Sequence, residues 1–216
     1  MKISVIIPAY KEYGTINETV AMLDGTEVIV SCADDDTYNS ITYEKVIKII
    51  SSKGRGIQMN AGAEKATGDV LLFLHADTKL PSGWPAEVEK GLKNCSYGAF
   101  SLGIDSQKSA FRVIEAAVKL RNKLTKIPYG DQAIFCTRAA FEAVGGYSRM
   151  PLMEDVDLMR KMKKQKFKLY LSDMQVKTSP RRWEREGLLY TTLRNWIIIS
   201  LYLLGVSPDY LKKLYK

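Results

Sequence analysis

The sequence predicts an α/β fold with a mostly parallel central sheet flanked by helices. Three short apolar runs, at 2–7, 27–30 and 70–74, have the length and composition of buried strands. A helical segment at 15–23 separates the first two runs, and Thr15 and Glu18 at its start have the spacing of a capping box. The order strand, helix, strand is typical of a right-handed parallel crossover. The third run ends abruptly in polar residues.

The rest of the chain continues this alternation of strands and helices. Pro8 is expected to end the first strand, and Asp24 with Gly25 to end the first helix. The other predicted strands are 45–50, 97–104, 133–136, 168–171 and 175–178, and the other predicted helices are 55–68, 84–92, 110–124, 139–144, 187–204 and a short one after Ser207. No repeat or low-complexity linker interrupts the sequence. We therefore predict one domain, residues 1–185, with a C-terminal helical extension, residues 186–216.

The chain has 216 residues and a net charge of +8. A basic excess suits anionic partners such as nucleotide phosphates, nucleic acid or an acidic membrane surface, and it is equally consistent with a solvated basic face. Much of the excess lies at 160–168, which is predicted to be the exposed side and end of a helix. Nothing in the sequence resembles a base-reading helix or a stacking platform, so a nucleic-acid partner is not expected.

Cysteine content and hydropathy bear on the compartment. Three widely spaced cysteines, Cys32, Cys95 and Cys136, form neither a zinc pattern nor a disulfide framework, which favours a reducing, cytoplasmic setting. The chain opens directly into a strand, so no signal peptide is expected. The longest uncharged apolar run, 196–206, has eleven residues and is too short to span a bilayer.

Polar residues at the end of the run at 70–74 are the first candidates for a ligand site. His75 and Asp77 can both bind a metal ion, and open α/β sheets bind ligands at the carboxyl edge of their strands. Such a site could hold a divalent cation with its attached phosphates, whereas the alternative is that Asp77 caps a turn. The three acids 34–36, after the second strand, could bind a ribose, a base or a metal, or they could cap a helix in a solvated turn.

Three further segments carry groups that suit phosphate binding or proton transfer. Glycines on either side of Arg55 would let the backbone approach a phosphate, although for this segment taken alone a plain turn is the favoured interpretation. Glu154 and Asp155 stand at a predicted helix start, where the helix dipole alone favours one or two acids. Trp183 with its flanking arginines could hold a phosphate or stack on a ring.

Four of these segments together resemble the family 2 glycosyltransferases of the GT-A type. The matching stretches, in the order and spacing of that family, are 5–12, 54–62, 68–78 and 153–155. A narrower resemblance is to a bacterial subgroup with the patterns GRxxQMNxGA, LFLHADT, GDQxxF, PLMEDVDL and SxRRWExxG, whose members are described as associated with radical-SAM or selenium-domain proteins. The resemblance implies a Rossmann-like sheet and a nucleoside-diphosphate sugar as the donor.

The resemblance also implies a role for each matching residue. Asp77 corresponds to the metal-binding second Asp of a DxD motif whose first Asp is replaced by His75, so the expected cofactor is Mn²⁺ or Mg²⁺. Asp155 corresponds to the catalytic base of an inverting displacement, with Glu154 binding the acceptor or orienting Asp155. The residues implied in binding the nucleotide, phosphates or acceptor are Pro8, Ala9, Tyr10, Glu12, Asp34, Arg55, Asn60, Asp131, Gln132, Arg181, Arg182 and Trp183.

Two other functions remain open at this point. A sugar-nucleotide pyrophosphorylase would share the sheet and the metal, but it would need a Gly-rich basic segment where this chain has residues 8–12. A catalytically silent nucleotide-sugar-binding protein would account for the altered DxD motif, whereas the intact Glu154–Asp155 pair favours an enzyme. The family resemblance implies an acceptor that carries a hydroxyl group, either a small molecule or a lipid-linked compound. The C-terminal apolar helix packs on the domain or on a second subunit, or it contacts the inner face of an anionic membrane.

Overall fold

The computed structural model describes residues 1–23 and 25–215. Its strands are β1 (Ile3–Ala9), β2 (Glu27–Cys32), β3 (Val46–Ile50), β4 (Val70–Phe73), β5 (Thr78–Lys79), β6 (Tyr97–Ile104), β7 (Phe135–Thr137) and β8 (Leu169–Thr178). Its helices are α1 (Ile16–Ala21), α2 (Asp35–Ser40), α3 (Arg55–Lys65), α4 (Trp84–Leu92), α5 (Ser109–Thr125), α6 (Arg138–Ala143), α7 (Glu154–Lys164), α8 (Arg181–Glu186), α9 (Leu188–Leu203) and α10 (Pro208–Leu214). A short 3₁₀ turn covers Gly130–Gln132.

The strands form one mixed sheet in the order β3-β2-β1-β4-β7-β6-β8-β5. β1 to β4 pair in parallel, as the sequence predicts, and their carboxyl ends share one edge of the sheet. β7 runs antiparallel to β4 and to β6, and β5 runs antiparallel to β8. The predicted α/β class with a mostly parallel sheet is therefore confirmed: among the described residues four of the seven strand pairs are parallel, and the three antiparallel pairs all involve β7 or β5.

Several boundaries differ from the sequence prediction. Pro8 does not end β1, because it lies beyond the last pair with β4 and its missing N–H removes no hydrogen bond from that ladder. Thr15 makes no capping box, since its hydroxyl donates to the Glu12 carboxylate instead. The two strands predicted at 168–171 and 175–178 are one strand with a bulge. The segment around Trp183, for which no helix was predicted, forms helix α8. Asp24, part of the predicted end of the first helix, lies outside the described residues.

Alternating side chains of the central strands divide between two apolar cores. Val5 and Ile7 face one core together with Val20 of α1 and Val88 of α4. Ile6 faces the other, on the side of α3, α6 and α7. Burial of both faces explains why these strands are almost continuously apolar in the sequence. It also fixes the register, because a slip by one residue would exchange the two faces.

The C-terminal helices pack on the start of α7. Ile198 and Tyr202 of α9 and Leu211 of α10 form a third apolar cluster with Leu152 and Val156. This contact holds α9 beside the end of the sheet where β1, β2 and β4 finish. In the described part of the chain, no helix is both long and apolar enough to cross a membrane.

Candidate active site

A cavity of about 190 Å³ lies at the carboxyl edge of the parallel strands. Polar, charged and aromatic side chains from distant parts of the chain meet there. The residues that line it are Arg55, His75, Asp77, Tyr129, Asp131, Leu152, Met153, Asp155, Val156, Thr178, Ser179, Arg182, Trp183, Asn195, Ile199 and Tyr215. Seven predicted site residues are among them: Arg55, His75, Asp77, Asp131, Asp155, Arg182 and Trp183.

His75 and Asp77 occupy the turn that follows β4. Burial, aided by the positive charge of Arg55, lowers the pKa of His75 to about 4, so its imidazole is neutral at pH 7. One carboxylate oxygen of Asp77 accepts a hydrogen bond from Arg181 at 3.2 Å, and the same nitrogen lies 3.4 Å from Glu12. Arg181 of α8 therefore connects the end of β1 to the turn after β4.

Asp155, at the start of α7, is oriented by backbone donors. Its Oδ2 accepts from the Gly130 N–H at 2.7 Å, and its Oδ1 accepts from the Val156 N–H at 2.8 Å. A Cβ on Gly130 would lie 3.0 Å from His75 Nε2 and 3.3 Å from Asp155 Oδ2. Residue 130 thus has to be small, because it separates the imidazole from the carboxylate and binds the latter.

Glu154 forms an ion pair across the base of the cavity. Its Oε1 lies 2.6 Å from Arg55 Nε, and the Glu154 side chain is 3% exposed. Burial lowers the pKa of Arg55, but the carboxylates of Glu154 and Asp155 raise it by more, so Arg55 remains a cation. Burial raises the pKa of Glu154, and the charge of Arg55 opposes that effect. The pair joins the first turns of α3 and α7.

The fit of a divalent cation can be judged from the donors present. Within residues 1–23 and 25–215 no three His, Cys, Asp or Glu side chains form a metal cluster. Asp77 and neutral His75, two positions apart in the turn after β4, both line the cavity and supply oxygen and nitrogen donors. Cations that act on phosphates usually take only one or two protein ligands and complete their shell with water and substrate oxygens. The donor set therefore fits an ion shared with a bound diphosphate.

A second group of predicted residues lies outside the cavity, at the exposed ends of β1 and β2. Lys53 lies 3.7 Å from the centre of the Tyr10 ring, and its hydrogen bond lowers the pKa of Tyr10. Asp34 caps α2 and accepts from the backbone N–H groups of Lys11 and Thr37. The helix-cap interpretation of Asp34 is therefore correct, and its carboxylate still faces the same edge of the sheet as the cavity.

Four predicted residues have structural contacts and do not line the cavity. Pro8 and Ala9 are buried within β1. Asn60 uses its amide nitrogen and oxygen to bind the backbone of Tyr147. Gln132 is fully buried, and its side chain binds Phe100, Asn122 and the backbone of Tyr129. These amides hold loops beneath the site in place.

The sequence did not indicate the part of the cavity wall that the C-terminal helices supply. Asn195 and Ile199 come from α9, and Tyr215 follows α10. The Tyr215 hydroxyl accepts a hydrogen bond from Arg182, and its ring lies beneath Arg194 with 4.7 Å between the guanidinium carbon and the ring centre. No motif marks these residues. Tyr129 and Lys53 were also missed, although both border segments that matched the family pattern.

Comparison with solved structures gives the same fold at low sequence identity. The mannosyltransferase PcManGT from Pyrobaculum calidifontis, solved with GDP-Man and Mn²⁺, superposes with a TM-score of 0.61 at 16% identity, over 82% of this chain and 56% of that one. Residues 1–349 of TarS from S. aureus, solved with UDP-GlcNAc, give a TM-score of 0.62 at 16% identity, over 83% and 58%. The chain thus spans little more than half the length of either crystallised chain.

A third similar structure is glucosyl-3-phosphoglycerate synthase from Mycobacterium tuberculosis, solved with Mn²⁺, UDP and phosphoglyceric acid. Its TM-score is 0.60 at 16% identity, over 81% of this chain and 69% of that one. These likenesses establish the GT-A type of α/β fold. No curated protein matches the sequence. The family model described as glycosyl transferase family 2 matches residues 4–139, which is more than half of the chain. The chain therefore belongs to glycosyl transferase family 2.

Proposed function

We propose that this protein transfers a sugar from a nucleoside-diphosphate sugar to an acceptor hydroxyl, with inversion at the anomeric carbon. One observation carries the proposal: Asp155, His75, Asp77 and Arg55 converge on a single cavity at the carboxyl edge of the sheet. A carboxylate fixed by two backbone donors is suited to accept a proton. Arg55 and Arg182, which line the same cavity, supply positive charge suited to a diphosphate leaving group.

The reaction is a single displacement. The acceptor oxygen attacks the anomeric carbon, the bond from that carbon to the phosphate oxygen breaks, and the hydroxyl proton passes to Asp155. Attack from the face opposite the leaving group inverts the configuration. Arg55, which Glu154 holds as a cation, stabilises the negative charge that grows on the diphosphate. Glu154 is too buried and too tightly paired to act as the base itself.

Asp77 and His75 would hold a divalent cation, Mn²⁺ or Mg²⁺. When bound, such an ion neutralises charge on the diphosphate of the donor. The imidazole of His75 is neutral, as a ligand nitrogen must be, and a nitrogen donor favours Mn²⁺ over Mg²⁺. Arg181, which binds Asp77 and Glu12 in this structure, supplies a further positive charge at the same place.

The donor nucleotide would bind along the ends of β1 and β2. Tyr10 and Lys53 offer a ring and a cation, and Asp34 and Glu12 offer carboxylates for ribose hydroxyls. The three similar structures were solved with GDP-Man, UDP-GlcNAc and UDP, which supports a nucleoside-diphosphate sugar here as well.

We further propose that the chain belongs to the narrower subgroup with the GDQ, PLMEDVDL and SxRRWE patterns. All three patterns contribute to the cavity, through Asp131, through Met153 and Asp155, and through Arg182 and Trp183. Residues 1–185 would then be the catalytic domain and residues 186–216 an extension that completes the cavity wall. The three patterns are expected to meet in one cavity if their residues bind the same acceptor or leaving group.

The outer face of α9 suggests that the protein associates with a membrane surface. Leu189, Leu193, Trp196 and Ile197 recur at helical spacing and are 57–75% exposed. We propose that this face rests on the cytoplasmic surface of an anionic membrane, since the chain carries a net charge of +8 and exposed lysines lie in α10. A second copy of the chain is the alternative occupant, and the vesicle experiment in the Discussion distinguishes the two.

A thermal-shift panel tests the donor site. UDP, GDP, CDP, dTDP and their sugars would be added with Mn²⁺, Mg²⁺ or EDTA. A ligand at a hundredfold excess over its Kd stabilises the folded state by about 2.7 kcal/mol, which is readily detected. We expect a shift with one base that requires the cation and is lost in Asp77→Ala. No shift with any nucleotide in a folded sample would overturn the proposal. A shift without turnover in any acceptor screen would favour the silent binding protein.

A further inference from the structure

Arg181, the first residue of α8, links two carboxylates at the carboxyl edge of the sheet. Its Nη2 lies 3.2 Å from Asp77 Oδ2 and 3.4 Å from Glu12 Oε2, so one guanidinium group is the counter-ion of both acids. The Thr15 hydroxyl holds Glu12 in place by donating to the same Oε2 at 2.7 Å. Asp77 is one of the two residues proposed above to hold the divalent cation. Arg181 therefore pairs with a carboxylate that the cation also needs.

The backbone keeps Arg181 beside Asp77, whereas the Arg181 side chain is free to change partner. The Ser179 N–H donates to the Asp77 carbonyl at 3.2 Å, and Thr78 pairs with Thr178 in the ladder between β5 and β8. The main chain at the start of α8 is thus tied to the turn after β4. The Arg181 side chain is 54% exposed and has several rotatable bonds, so it can move to another anion while α8 stays in place.

The three arginines of α8 have different partners. Arg182 lines the cavity and donates to the Tyr215 hydroxyl. Arg185 is 78% exposed and lies 3.0 Å from Glu186 in its own helix. Of these three described side chains, only Arg181 pairs with a proposed cation ligand. An effect of Arg181 on cation binding can therefore be separated from the general effect of the charge that α8 carries.

A divalent cation and Arg181 would share the negative charge of one carboxylate. Like charges close together repel, so each weakens the binding of the other to Asp77. A diphosphate changes this balance, because its oxygens carry negative charge and accept hydrogen bonds from a guanidinium group. Arg181 can then bind phosphate oxygens and leave the Asp77 carboxylate to the cation.

We propose that Arg181 makes the site select the complex of cation and diphosphate over the free cation. Arg181 pairs with Asp77 until a diphosphate offers it another anion, and only then releases the carboxylate. This inference rests on the proposed transferase function and assigns to Arg181 the coupling between its two ligands. Cation and diphosphate then bind with positive cooperativity, because the pair between Arg181 and Asp77 is broken once for both.

Binding measurements on the full chain test this inference without turnover. The Kd of Mn²⁺ alone is obtained from the electron paramagnetic resonance signal of the free ion. The Kd of the nucleoside diphosphate that the thermal-shift panel selects is measured by calorimetry in saturating Mn²⁺. In Arg181→Gln we expect Mn²⁺ alone to bind about fivefold more tightly, which corresponds to about 1 kcal/mol, the upper value for an exposed ion pair. The nucleoside diphosphate should bind about tenfold more weakly, because it loses a charge-assisted hydrogen bond.

Arg185→Gln is the matched control, because it removes one positive charge from the same helix without touching Asp77. Both dissociation constants of this variant should stay close to those of wild type. Equal shifts in Arg181→Gln and Arg185→Gln would mean that net charge alone sets the affinities, and would overturn the inference. Melting temperatures of both variants close to that of wild type show that the effect is not one of folding.

The direction of each shift decides between the possible roles of Arg181. Weaker or unchanged binding of Mn²⁺ alone by Arg181→Gln would mean that Arg181 does not compete for Asp77, and would overturn the inference while the proposed transferase function stands. An unchanged Kd of the nucleoside diphosphate would show that Arg181 does not bind the phosphates and would overturn it as well. If wild-type protein binds the nucleoside diphosphate but no Mn²⁺ with it, the proposed cation site is wrong and the inference falls with it.

Discussion

Among single residues, Asp155 is expected to have the largest effect on the reaction. Asp155→Asn keeps an oxygen that accepts from the Gly130 N–H but cannot take up the acceptor proton. We expect the transfer rate to fall by about 10²–10⁴-fold, the typical contribution of a general base, with the donor Kd unchanged. Single-turnover transfer and donor titration measure the two quantities separately.

Asp157→Asn is the matched control for that experiment. Asp157 lies in the same helix, and its carboxylate binds Ser148 and Lys161 without lining the cavity. Transfer by this variant should stay close to that of wild type. An equal loss of rate in both variants would mean that α7 as a whole is disturbed. Full turnover by Asp155→Asn would remove Asp155 from the role of base.

The buried carboxyl group of Asp131 should make the stability of the folded protein depend on pH. Burial, opposed by the Arg121 charge and reinforced by Asp155, raises the pKa of Asp131 to about 6. The unfolded chain releases this proton near pH 4 and the folded chain only near pH 6, so stability falls as the pH rises through that interval, by at most roughly 3 kcal/mol. Asp131→Asn should therefore raise the melting temperature at pH 7 by several degrees more than at pH 5. An equal change at both pH values would contradict this.

The residues that sequence reasoning could locate are those next to strand and helix ends. Asp77 follows β4 by four positions, and Asp155 is the second residue of α7, so a local pattern fixed their positions. Asn60 could not be assigned in this way, because its partner Tyr147 is far along the chain. The same holds for Asn195, which lines the cavity only because α9 packs on the start of α7.

At the scale of elements, the Arg55–Glu154 pair joins α3 to α7. Arg55→Met leaves the Glu154 carboxylate buried without its counter-charge, which we expect to destabilise the protein by up to about 3 kcal/mol. The double variant Arg55→Met with Glu154→Gln removes that buried charge and should recover more than half of the loss. Urea unfolding of the two single variants and the double variant gives the interaction energy. Additive losses would mean that the pair does not couple the helices.

Element boundaries were predictable where the pattern was local, as for α4, whose predicted limits agree with the structure. Helix α8 was missed because its six residues contain no apolar periodicity, and its position depends on Arg181 binding Asp77 and Glu12. The reversed directions of β7 and β5 were not predicted, for a related reason. Strand order and direction depend on which distant segments pair, and composition does not carry that information.

At the scale of the whole molecule, the two faces of α9 differ in their exposure to solvent. Thr191, Ile198 and Tyr202 are buried on the inner face, whereas Leu193 and Trp196 are more than half exposed on the outer face. Exposure of such a long apolar face to water is unfavourable. Helices that adsorb to membranes combine an apolar face, aromatic residues at the interface and nearby basic residues, and α9 with α10 has all three. We expect the protein to co-sediment with vesicles of 70% phosphatidylcholine and 30% phosphatidylglycerol, and much less with phosphatidylcholine alone.

Leu193→Ser with Trp196→Ser should weaken that adsorption by at least ~10-fold, because each side chain loses on the order of 1 kcal/mol of apolar burial. Val113→Ser with Leu124→Ser is the matched control, since these α5 residues are 70% and 76% exposed and lie on another helix. Adsorption should also weaken with added salt, because the attraction between the basic protein and the anionic lipid is screened. If the α9 variant binds vesicles normally but loses a dimer seen by analytical ultracentrifugation, the outer face pairs two copies of the chain. Because Asn195 and Ile199 belong to the same helix, either partner of the outer face would also hold the wall of the cavity in place.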